Sequence, residues 1–82
     1  MGKSPSIRID NDLKALRAQR NLTQQELATE VGVTRVTINY IENGEYRPSL
    51  ELSFLLARFF GKRIEEVFHF EAQGGQREKH RA

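Results

Sequence analysis

The stretch TQQELATEVGVTRVTINYIENG, residues 23–44, contains two short helical patterns that are separated by Gly32. Apolar residues recur at helical spacing on one face of each pattern, namely Leu27, Ala28 and Val31 in the first and Ile38 and Ile41 in the second. The other face of the second pattern carries threonine, arginine, valine, asparagine and tyrosine. Two questions follow: why one helix is divided into two, and what this second face contacts.

Start and stop signals surround both helical patterns. Thr23 with Glu26 three residues later predicts a capping box, in which each side chain accepts a backbone hydrogen bond from the other residue. Gly32 predicts the end of the first helix, since glycine adopts the left-handed conformation without penalty. Thr34 predicts the start of the next helix, over about 35–43. Two helices joined by a short glycine-containing turn predict a compact bihelical unit whose second helix projects from the body.

The rest of the chain divides into short elements of helix and strand. The predicted elements are a strand over 7–10, helices over 13–20, 50–60 and 64–67, and a strand over 68–71. Asp10 or Asn11 is expected to cap the first of these helices, and Ser49 the next. Residues 1–6 and 72–82 are small or polar and are expected to be disordered, which leaves one folded domain over residues 7–71.

Composition excludes several classes of protein. The chain has 82 residues, a formal net charge of +2 and no cysteine, so neither a disulfide framework nor a thiolate metal site can form. No metal or cofactor is expected, because neither of the two histidines has a partner at ligand spacing. The sequence contains no glycine-rich phosphate-binding loop and no nucleophile paired with a base, so nothing in it indicates an enzyme. The chain has no long apolar run and no secretory signal, so we expect a cytoplasmic protein.

The outer face of the second pattern has the chemistry of a DNA-reading helix. Arg35 can donate two hydrogen bonds to guanine, and Val36 can contact a thymine methyl group. Tyr40 offers a ring and a hydroxyl, and Gln24 lies beside free backbone amides that favour a phosphate. Other interpretations remain open: Arg35 as a solvated surface charge, Val36 as a packing residue, Tyr40 as a core or dimer residue, and Gln24 as an ordinary first-turn residue.

The segment LTQQELATEVGVTRVTINYIENGEYRPS resembles the Cro/C1-type, or xenobiotic-response-element, helix-turn-helix family of transcriptional regulators. The resemblance extends over about residues 11–68. It implies an all-α fold, a lambda-repressor-like five-helix bundle. In short regulators of the cytolysin-repressor type, the terminal segments also form a small two-stranded antiparallel sheet. The family further implies binding of a near-palindromic operator by a homodimer, with the third helix in the major groove.

The resemblance also implies roles for individual positions. The implied DNA-binding residues are Gln24, Thr34, Arg35, Val36, Thr37, Asn39, Tyr40, Asn43, Arg47 and Ser49. Arg17 and Glu42 correspond to an ion pair that links the first and third helices of the family; the alternative is that they are unrelated surface charges. The alternative for Arg47 is an exposed loop charge that contributes little.

The long helix over 50–60 carries two apolar stripes, Leu55 with Phe59 and Leu52 with Leu56 and Phe60. A core this small is not expected to cover both stripes, so Leu55, Phe59, Phe68 and Phe70 are expected in a dimer interface. The leading hypothesis is therefore a homodimeric repressor that binds double-stranded DNA without a small-molecule ligand. The alternative is an antitoxin-like module that binds a partner protein and its own promoter.

Overall fold

The computed structural model describes residues 7–72, which form five helices and one two-stranded sheet. The helices are α1 (Leu13–Gln19), α2 (Gln24–Val31), α3 (Arg35–Glu42), α4 (Leu50–Phe59) and α5 (Ile64–Val67). Strands β1 (Ile7–Asn11) and β2 (Phe68–Ala72) pair antiparallel, with Ile9 opposite Phe70. The predicted fold class is confirmed. Ala72, which we assigned to the tail, belongs to β2, and the other residues predicted to be disordered lie outside the described part.

Local hydrogen bonds account for the boundaries of the central helices. Thr23 and Glu26 form the predicted capping box at the start of α2, with distances of 3.0 and 2.8 Å. Gly32 ends α2 in the left-handed conformation, with φ of 80°. Thr34 and Ser49 accept backbone hydrogen bonds at the starts of α3 and α4. These signals are local in sequence, which is why they predicted the elements well.

Of the two residues predicted to cap α1, the structure shows a hydrogen bond for Asn11. Asp12 occupies the N-cap position, but its side chain makes no capping hydrogen bond. The side chain of Asn11, one residue earlier, accepts the backbone N–H of Leu13 at 3.0 Å. The same side chain donates to the backbone oxygen of Ile41 at 2.9 Å, so it also joins the end of β1 to α3.

One hydrophobic core lies between the helices. Its buried residues are Leu13, Leu16, Leu27, Ala28, Ile38, Ile41, Leu52, Leu56, Ala57, Phe60 and Val67. Val31, which the pattern placed inside, and Val33 are only partly buried at the edge of this core. Within residues 7–72, no helix combines the length and apolar character needed to cross a membrane.

Candidate nucleic-acid interface

The turn between α2 and α3 aims the outer face of α3 away from the core. The backbone N–H of Val33 donates to the oxygen of Ala28 at 2.9 Å, which folds the chain back after Gly32. Ala28 and Ile38 are fully buried, so the small alanine side chain allows α2 and α3 to pack closely. The opposite face of α3 is therefore left at the surface.

Three side chains of this outer face are exposed. Arg35 is exposed, and Val36 and Tyr40 are each 47% exposed. The exposure of Tyr40 excludes the alternative that it is a core residue of the monomer. Exposed apolar groups beside an arginine can contact thymine methyl groups and sugars while the arginine binds a base edge.

Threonine and serine side chains in the predicted interface also serve as helix caps. Thr34 Oγ1 accepts the backbone N–H of Thr37 at 3.2 Å, and it also lies 3.0 Å from the side-chain hydroxyl of Thr37. Ser49 Oγ accepts the backbone N–H of Leu52 at 3.1 Å. Each hydroxyl thus holds a helix start while its position at the surface leaves it accessible to a phosphate.

The loop between α3 and α4 contains two more predicted contacts. Asn43 is the exposed C-cap residue of α3, and Arg47 is exposed although it already has an interaction within the described residues. Together with β1, this loop borders an open cavity of about 400 Å³ lined by Asn11, Asn43, Tyr46 and Arg47 among others. The arrangement brings the loop beside the C-terminal end of α3.

A partly buried network of polar side chains links the end of α3 to α1. The Nε of Arg17 donates to Oε2 of Glu42 at 2.7 Å, and Nη2 donates to Oε1 at 3.1 Å. Nη1 of Arg17 donates to the backbone oxygen of Leu22 at 2.8 Å. The hydrogen bond to Glu42 raises the pKa of the Arg17 guanidinium, with a smaller opposing effect of burial. The structure thus brings together the pair that the resemblance implied.

Gln24 belongs to the same network. Its Nε2 donates to Oε1 of Glu42 at 3.0 Å and to Oδ1 of Asn39 at 3.2 Å. Both side-chain donors of Gln24 are therefore used within the protein. A phosphate at this position would be bound by the backbone N–H groups at the start of α2, where the helix dipole also favours an anion.

Sequence reasoning missed two of these relationships. It assigned Asn11 only a capping role, whereas the side chain also holds the end of α3 through Ile41. It treated Gln24 and Asn39 as independent DNA contacts, whereas their amide groups are hydrogen bonded. The sequence signals for these two contacts were weak. They were an asparagine at the end of a strand with alternating apolar residues and two amide side chains in neighbouring helices, and neither signal specifies a hydrogen-bond partner.

The four residues predicted for the dimer interface differ in exposure. Leu55 and Phe70 are exposed, by 49% and 67% respectively. Phe59 and Phe68 are partly buried and pack against the core. The Phe59 ring also packs edge-on against Phe60 and lies 5.5 Å from the Arg20 guanidinium. Leu50 and Phe54 on α4 are further exposed apolar residues that the predicted stripes did not include.

Comparisons with known proteins agree with this geometry. Residues 13–67 match a family model described as helix-turn-helix. An uncharacterized HTH-type transcriptional regulator of Methanocaldococcus jannaschii is 54% identical over 61 residues, which are 74% of this chain and 92% of that protein. The cryptic phage CTXphi transcriptional repressor RstR of Vibrio cholerae is 38% identical over 55 residues, which are 67% of this chain and 50% of the repressor.

A solved structure shares the fold. The transcriptional regulator VanUg superposes with a TM-score of 0.71 at 19% identity, and the match covers 89% of this chain and 97% of that one. At this level of identity the comparison concerns the fold alone.

Proposed function

Since the chain belongs to the Cro/C1-type helix-turn-helix family of transcriptional regulators, we propose that it is a homodimeric repressor of a near-palindromic operator. In this proposal α3 enters the major groove and α2 crosses the phosphate backbone. The family resemblance inferred from the sequence is confirmed, and the family consists of DNA-binding regulators rather than enzymes. A regulator of this kind would act in the cytoplasm, beside the DNA that it controls.

The outer face of α3 is the observation that carries the proposal. An arginine, a half-exposed valine and a half-exposed tyrosine lie together on a helix whose other face is buried. Direct contacts to base edges are proposed for Arg35, Val36, Asn39 and Tyr40, and mixed contacts for Thr34 and Thr37. Phosphate contacts are proposed for Gln24, Asn43, Arg47 and Ser49. Such contacts would position the protein, while the α3 side chains would read the sequence.

Dimerisation is proposed from the exposed apolar side chains near the C-terminal half of the described chain. Leu55 and Phe70 are the members of the predicted interface that a second copy can bury most fully. Phe59 and Phe68 would add only the area that the core leaves exposed. A two-fold dimer would place two α3 helices about 34 Å apart, which is one turn of DNA.

Repression is proposed because one relative is a phage transcriptional repressor. A small dimer that occupies an operator would block polymerase without binding a second ligand. The same binding mode serves activation when the operator lies upstream of the promoter, so the sign of regulation is tested separately, with a reporter gene placed behind the selected operator.

Selection of bound sequences from random DNA tests the DNA-binding proposal. The expected result is a near-palindrome with half-sites one turn apart, and the affinity for it should fall steeply with salt as counterions are released. Failure to enrich any sequence at low salt would contradict the proposal. That result, together with co-purification of a second protein, would favour the antitoxin-like alternative.

A further inference from the structure

The carboxylate of Glu42 determines the orientation of the Gln24 side-chain amide. The Glu42 side chain is 2% exposed and forms two hydrogen bonds with the Arg17 guanidinium. A carboxylate paired in this way only accepts hydrogen bonds. The amide atom of Gln24 that lies 3.0 Å from Oε1 of Glu42 must therefore be the nitrogen, Nε2.

The orientation of Gln24 in turn determines that of Asn39. The Nε2 of Gln24 also lies 3.2 Å from the Asn39 side-chain amide. Because this nitrogen donates, the Asn39 atom facing it must be the oxygen, Oδ1. The Nδ2 of Asn39, with both of its hydrogens, is on the other branch of the amide, and residues 7–72 provide no acceptor for it.

We propose that Asn39 determines base specificity by directing its Nδ2 donors to the DNA, because Glu42 orients its amide through Gln24 and keeps Oδ1 on the side of Gln24. This inference rests on the proposed function. An asparagine that is free to choose its orientation pairs with adenine, which offers one acceptor, N7, and one donor at N6. An asparagine whose Nδ2 donors face the base matches guanine, whose N7 and O6 both accept. Guanine is thus favoured over adenine at the base pair that Asn39 contacts.

Sequence selection with four proteins tests this inference. The wild type is compared with Asn39→Ala, Gln24→Met and Gln25→Met. Asn39→Ala identifies the contacted base pair as the one at which the preference is lost. At that pair the wild type should favour guanine over adenine by about tenfold, as expected for a matched pair of hydrogen bonds.

The two methionine variants separate the orienting contact from general effects on α2. Gln24→Met keeps the side-chain length but removes the donor, so the Asn39 amide can reverse; adenine should rise to within about threefold of guanine. Gln25→Met is the matched control, because Gln25 is exposed and donates to Thr29 rather than to Asn39. Its selected site should be that of the wild type. Enrichment of the remaining operator positions shows in each case that the variant is folded.

Three results would overturn the inference: an adenine preference of the wild type at that pair, an unchanged guanine preference in Gln24→Met, or no change of base preference in Asn39→Ala. In each of these cases an operator is still selected, so the proposed function stands. If the wild type enriches no sequence at all, the proposed function fails, and the inference fails with it.

Discussion

The Nε of Arg17 lies 2.7 Å from Oε2 of Glu42, so an ion pair joins the last turn of α1 to the last residue of α3. Oε1 of the same carboxylate accepts from Gln24, the first residue of α2. Three helices therefore meet at one buried carboxylate. The position of α3 relative to the body of the protein depends on this junction as well as on the core.

Loss of one partner of this ion pair should destabilise the protein strongly. In Arg17→Met the carboxylate of Glu42 stays buried without its counter-charge, which costs about 3–5 kcal/mol of the free energy of unfolding. The double variant Arg17→Met with Glu42→Met should lose much less, because no charge is left buried. Urea unfolding of the three proteins measures this, and equal losses in the single and double variants would contradict it. The pKa of Arg17 is raised in the folded protein. Its contribution to the free energy of unfolding is therefore fully present below the ordinary arginine pKa, and it is lost only when the pH rises through the higher folded value.

Gly32→Ala should destabilise the turn through the backbone alone. Gly32 has a φ of 80°, and apart from its two chain neighbours no residue lies within 4 Å of the position that a Cβ would occupy. The expected cost is the left-handed backbone penalty, about 1–2 kcal/mol in the free energy of unfolding. Gly32→Asn should cost less, since asparagine tolerates this conformation better. Equal stability of the alanine variant and the wild type would contradict this account of the turn.

Arg35→Ala should weaken binding to the selected operator by about 1–3 kcal/mol and relax the preference at one base pair. Arg35→Lys keeps the charge but loses the planar pair of donors, so it should retain affinity for random DNA while losing base preference. Competition binding with operator and random DNA measures both effects. If Arg35→Ala loses equal affinity on the two DNAs, Arg35 contacts phosphate rather than a base.

Leu55→Lys should dissociate the proposed dimer. A lysine at the centre of an apolar interface is expected to raise the dimer dissociation constant by about tenfold or more. Leu50→Lys is the matched control, because Leu50 is also exposed on α4 but lies about 140° around the helix from Leu55. Sedimentation of both variants tests the assignment. Dissociation by Leu50→Lys but not by Leu55→Lys would move the interface to the other face of α4.

Glu66 should titrate below its ordinary pKa of 4.5, because its carboxylate accepts the backbone N–H of Arg63 at 2.8 Å. A lowered folded pKa means that the stabilising contribution is present above the unfolded pKa and is lost as the pH falls through the folded value. The titration midpoint from side-chain carboxyl NMR measures the shift. Glu66→Gln should remove this part of the pH dependence. A midpoint at or above 4.5 would contradict the proposed hydrogen bond.

Much of the fold could be predicted because its signals are local. Thr23, Glu26 and Gly32 set the ends of α2 through hydrogen bonds and conformations within a few residues. The alternation of apolar residues in the terminal segments likewise predicted both strands. Asn11 was one of two predicted caps of α1 and does accept from Leu13, but its second contact, to the distant Ile41, was not predicted.

The members of the candidate site were predicted, but of the contacts between them only the Arg17–Glu42 pair was implied by the sequence. Helical spacing identified the face with Arg35, Val36 and Tyr40, and the family resemblance added the loop residues. The dimer stripes were harder to assign, since helical periodicity alone does not tell whether Phe59 packs against its own core or a second copy. In the structure this ring packs beside Phe60 and Arg20 of the same chain.

The sequence by itself determined the order of the helices, the turn at Gly32 and the polar outer face of α3. These features follow from backbone conformation, capping and periodicity, which act over a few residues. Only the tertiary structure decided that Gln24 joins the Arg17–Glu42 pair on one side and Asn39 on the other. Those contacts join residues on three helices, and their geometry depends on how the buried faces pack. The hydrogen-bonding direction of Asn39 is therefore a property of the folded protein.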